Sequence, residues 1–62
     1  MADGAVRASD AERDLVVERL TRAMTAGRLT PEEFEERSSA AYTARTRGEL
    51  AELTRDLPGN LW

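Results

Sequence analysis

Three times between Ser9 and Glu49 the chain sets a Ser or Thr three residues ahead of a Glu: Ser9 and Glu12, Thr30 and Glu33, Thr46 and Glu49. At that spacing the hydroxyl accepts the N–H of the third helical residue. The carboxylate in turn accepts the N–H of the cap, so two donors orphaned at a helix start are satisfied. Each pair therefore marks a start. Three starts in 62 residues leave room for little besides three short helices.

The stops agree. Gly27 takes the left-handed conformation that closes a helix, and Pro58-Gly59 cannot continue one. The second start is the best marked, because Pro31 sits where its missing N–H costs nothing. Leu29 and Phe34 there occupy the two positions of a hydrophobic staple. Asp10 and Asp14 complement the dipole of the first helix, and Gly48 weakens the third modestly. The spacing predicts an all-α, three-helix domain with helices near 10–26, 31–45 and 47–57. No strand pattern competes, and the chain has no Ile. Residues 1–8 read as a flexible N-terminal tail, 9–58 as the domain, and 59–62 as a C-terminal tail or the start of a linker.

Helical spacing puts Val16, Val17, Leu20, Ala23 and Met24 on one face of the first helix. The second turns Phe34, Ser38, Ala41 and Tyr42 inward, with Arg37 and Arg45 at the edges. The third turns in Leu50, Leu53 and Leu57. With Val6, Leu29 and Leu61 these make a small core, and a chain of this size buries only about 60% of its unfolded surface. Leu15 does not fit. A helix cannot turn the trio Leu15-Val16-Val17 to one side, so Leu15 falls on a thin second face with Ala11 and Ala26. Either a tail covers it, through Val6, Leu61 or Trp62, or a partner does.

Composition removes most chemistry. All nine basic residues are Arg, and there is no Lys, His or Cys. The chain thus lacks an imidazole base, a thiolate, a Schiff-base or phosphate-loop lysine and a Cys/His zinc cluster. Neither a catalytic site nor a cofactor, metal or small-molecule ligand is expected. Glu32, Glu33, Glu35 and Glu36 form the densest carboxylate run. Neighbours on a helix point about 100° apart and cannot converge on one ion. They read as a solvated first turn, with Glu33 reaching Arg37 at i+4.

A helix–turn–helix is the sharpest alternative, since Gly27-Arg28-Leu29-Thr30-Pro31 joins two helices. Its second helix opens on four carboxylates, which repel phosphate, and the net charge is −3. A regulator docking on nucleic acid, or on a DNA-binding partner, is therefore the lesser reading. No apolar run is long enough to span a membrane, and zero Cys fits a reducing, cytoplasmic setting.

Several stretches, taken in order, resemble a known family: residues 7–13 (Arg7-Ala8-Ser9-Asp10-Ala11-Glu12-Arg13), 27–37 (from Gly27-Arg28-Leu29-Thr30-Pro31 to Arg37), 44–50 (Ala44-Arg45-Thr46-Arg47-Gly48-Glu49-Leu50), and Asp56-Leu57-Pro58. The family is the SHOCT-like domain of unknown function (number 1707) common in actinobacteria. The resemblance implies an interaction or oligomerisation module at the N-terminus of longer, often membrane-associated proteins, with no catalytic residues to carry over. It implies structural roles for Ser9 and Thr30 as caps, Gly27 as stop and Phe34 as core anchor. Arg7, Asp10, Arg37 and Asp56 match its charged positions and are expected to form an ion-pair network tying the ends together. The chain stops soon after Pro58, as a stand-alone member or a piece of a longer protein would. The expectation is a cytoplasmic protein–protein interaction or self-association module, tethered at the membrane, if at all, only through residues outside this chain.

Overall fold

The computed structural model describes residues 3–57. They form α1 (Asp10–Thr25), α2 (Pro31–Thr43) and α3 (Arg47–Thr54), preceded by a 3-10 turn at Asp3–Ala5. All three capping boxes close in both directions, at Ser9 with Glu12, Thr30 with Glu33 and Thr46 with Glu49. Gly27 has φ 80°. The two bonds that close the α1 terminus run from the Gly27 N–H to the Met24 carbonyl and from the Arg28 N–H to the Ala23 carbonyl.

Two helices end earlier than their apolar pattern, and in both cases a tertiary contact captures the backbone. α2 stops at Thr43 rather than near residue 45. Ala44 turns extended, its carbonyl accepts Arg13 Nε at 2.9 Å, and the Arg45 carbonyl accepts the Ala8 N–H at 2.9 Å. α3 stops at Thr54 rather than near 57. Arg37 donates to the Leu53 carbonyl at 3.0 Å, the group that would otherwise receive the Leu57 N–H, and that N–H turns to Thr54 instead. The α1 terminus differs from the pattern by one residue, with Ala26 as the cap.

α2 runs back along α1, and α3 then returns in the direction of α1. Arg13 and Glu12 near the start of α1 thus meet Ala44 and Arg47, while Leu57 reaches the Leu20 end. Two clusters make the core. Leu20, Ala23 and Leu29 are buried together, with Val16, Met24, Phe34 and Leu57 packed on them. Ala8, Ala41, Ala44 and Leu50 form the second, flanked by Val16, Val17 and Leu53.

The segment that composition reads as a tail packs on α3. Arg7 bridges Thr46 in an antiparallel pair, and the Arg47 N–H donates to the Val6 carbonyl at 2.9 Å. Gly48 lets it approach: a Cβ there would stand 2.9 Å from the Gly4 carbonyl oxygen. Tyr42 is the clearest departure from the expected core, at 59% exposed. Ala41 and Ala44 hold the inward positions of that turn, and Tyr42 lies about 100° round from Ala41. Val6 is exposed as well, while Leu61 and Trp62 lie outside the described residues.

Candidate functional site

The side-chain hydrogen bonds and ion pairs that join elements come from charged residues. Arg37 forks onto both Asp56 oxygens, at 2.7 and 3.0 Å, and does not turn to Glu33. The guanidinium holds the Asp56 carboxyl below its usual range, and Asp56 raises Arg37 in return. The other two members of the expected four-residue network go elsewhere. Asp10 accepts from Arg13 at 2.8 Å, one helical turn away, and Arg7 enters through its backbone bridge. They separate because Arg7 is part of an extended pair, whose geometry is fixed by main-chain bonds.

Two cross-links were not legible in the chain. Arg13 spans 31 positions to the Ala44 carbonyl, and Arg47 pairs with Glu12. Glu12 therefore serves one helix as a cap and another as a counter-ion. Backbone donation from Ser9 is the chief cause of its lowered pKa, and Arg47 adds to it. Glu49 is lowered chiefly by the Arg45 N–H, with Thr46 contributing. Nothing local marks Arg13 or Arg47 among nine arginines; only the approach of the helices selects them.

α1 and α3 leave a groove between them. Glu12, Leu15, Val16 and Arg19 line one wall, and Arg47, Leu50, Ala51 and Thr54 the other. On each side the positions fall at i, i+3, i+4 and i+7, the spacing of one helix face. Leu50 is buried, Val16 half-buried, and Leu15 stands 49% exposed at the lip. The space is about 200 Å³, room for one or two side chains rather than a drug-sized ligand. Of the expected face of Ala11, Leu15 and Ala26, Leu15 lines this groove, and all three are exposed. Ala26, exposed at the α1 cap, lies eleven residues on, about 16 Å along the axis.

Outside the groove, Glu32, Glu35 and Glu36 are exposed along α2. Among the described residues no group of three or more carboxylates could hold a metal ion, and no helix is long and apolar enough to cross a membrane.

Cap, staple, stop and groove together define a small three-helix domain with one half-open apolar seam. Residues 6–58 match the model of the DUF1707 SHOCT-like domain, and the chain belongs to that family. Two uncharacterized proteins of Mycobacterium tuberculosis, from strains CDC 1551 / Oshkosh and ATCC 25618 / H37Rv, are each 42% identical to it over 57 residues. The matched stretch is 92% of this chain but 28% of either relative, so the chain spans under a third of their length. No solved structure matches it.

Proposed function

We propose that the domain is a non-catalytic protein–protein interaction module that docks or self-associates through the groove between α1 and α3. The observation that carries this is Leu15, a large apolar side chain half exposed over an apolar floor and flanked by Arg19 and Arg47. A protein surface offering one apolar anchor complements that groove. The share of the relatives left unmatched supports a setting in a longer protein. The exposed carboxylates of α2 speak against a nucleic-acid partner.

Sedimentation across a concentration series tests the self-associating form. The apparent mass is expected to rise toward a dimer at high concentration, and Leu15→Glu to stay monomeric with unchanged helix content. A wild type that is monomeric throughout, and no less so than the variant, sinks it.

A further inference from the structure

The N-terminal segment that packs on α3 bears on the groove as well. It runs into α1 at the Ser9 cap, and its hydrogen bonds land on the start of α3. Residues 4–8 are thus covalently part of one wall and bonded to the other, at the end of the groove where Glu12 and Arg47 stand. We infer that this segment is a releasable strap: lifting it lets α3 swing about its Arg37 anchor and widens the groove. The strap is a control on the groove, and for that consequence it rests on the reading of the groove as the docking site.

Three observations carry it. The first is that strap and groove share residues. Arg47 donates its backbone N–H to the Val6 carbonyl at 2.9 Å and sets its side chain on the groove wall against Glu12. Leu50 lies in the groove and is buried in one cluster with Ala8. The second is that α3 has little hold of its own. It has eight residues, short of the ~12–15 at which an isolated helix is even marginal, and Leu50 is its one buried side chain. At its far end Arg37 grips the Leu53 carbonyl and Asp56, which ties α3 to α2 and not to α1. That leaves a pivot at one end and the strap at the other. The third is that the strap is lightly held. Two main-chain bonds of 2.9 Å, the buried Ala8 methyl and the approach of Gly4 to Gly48 secure it, while Val6 stays exposed. A segment with so little apolar burial opens well before the helices it joins. Capture of the N-terminal segment then opens the groove.

Native-state amide exchange, taken where sedimentation gives a monomer, tests the strap. Gly48→Ala sets a Cβ 2.9 Å from the Gly4 carbonyl oxygen and so pushes the strap away. Its helix propensity alone would slow exchange in α3, so faster exchange there has to come from the lost strap. The Ala8 amide and those of residues 50–54 are expected to exchange about fivefold faster, with α1 and α2 unchanged. Ala8→Glu, which drives a carboxylate out of a buried site and leaves the sequence of α3 intact, should give the same pattern. It serves if Gly48→Ala leaves the Ala8 amide protected. Amides of α3 that keep their wild-type rates while position 8 exchanges freely overturn the inference, as does equal quickening in all three helices. Either result bears on the strap alone, and sedimentation decides separately whether the groove associates.

Discussion

The two halves of the core are built by different means. Around Leu20 the chain spends its large side chains: Leu29, Met24, Phe34 and Leu57 all gather there. Around Ala41 three of the four buried residues are alanines, with Leu50 the one large side chain among them and Val16, Val17 and Leu53 packed at the edge. Ala8, Ala41 and Ala44 bring backbones together, and hydrogen bonds and charges do the joining: Ala8 to Arg45, Arg47 to Val6, Arg13 to Ala44, Glu12 to Arg47. The first half draws on apolar area, which is non-directional and tolerant of small shifts. The second draws on close approach, where a single added carbon has nowhere to go.

Substitutions can break that contrast. Leu20→Ala should have the largest effect, because Leu20 is wholly buried and its removal leaves a cavity: about 2–5 kcal/mol, enough to unfold a domain of marginal stability. Urea denaturation followed by circular dichroism measures it. A loss under about 1 kcal/mol would mean the two halves do not differ as described.

Gly48→Ala tests the other half. The new Cβ meets a backbone oxygen that cannot swing aside, at a cost of about 1–3 kcal/mol, offset by up to ~1 kcal/mol of helix propensity. A net loss near 1 kcal/mol is expected. Amide exchange at Ala8 and Arg47 should quicken while α1 and α2 keep their protection. Uniform loss across all three helices would show the N-terminal segment to be integral rather than docked.

Acid should act on the same half. Glu12 and Glu49 both sit at the alanine end, and their folded pKa values lie below the ordinary carboxylate range, as does that of Asp56. A depressed pKa contributes stability that is complete above the unfolded value and vanishes as pH falls through the folded one. The melting temperature should therefore hold steady down to about pH 5 and fall below about pH 4. Glu12→Gln and Glu49→Gln together should flatten that fall; an unchanged acid limb would assign it to other carboxylates.

The smallest expected change has the opposite sign. Ser38 Oγ is buried without a hydrogen-bond partner among the described residues, so Ser38→Ala should stabilise by about 0.5 kcal/mol in thermal melts. Destabilisation would reveal a partner for that hydroxyl.

How much could be read in the chain follows the same division. The caps at Ser9, Thr30 and Thr46, the stop at Gly27, and the staple of Leu29 and Phe34 are local. Each needs residues no more than five apart, so its chemistry is complete within one turn or so of helix. Tyr42 shows where periodicity runs out. A face angle says which residues point roughly inward but not how near the neighbouring helix comes, and alanines at 41 and 44 bring it too near for a ring. Gly48 shows the same limit. Along the chain it is a weak point in a helix, and only the approach of Gly4 gives it a purpose.

The sequence by itself determined that there are three helices, where each begins, and that Lys, His and Cys are missing. The tertiary structure alone decided where α2 and α3 end, which arginines among nine became cross-links, and that Leu15 joins α3 in a groove. The reason is range. Capping is settled by donors and acceptors within one turn, whereas termination by Arg37, or pairing of Glu12 with Arg47, depends on groups 16 to 35 positions apart meeting in space.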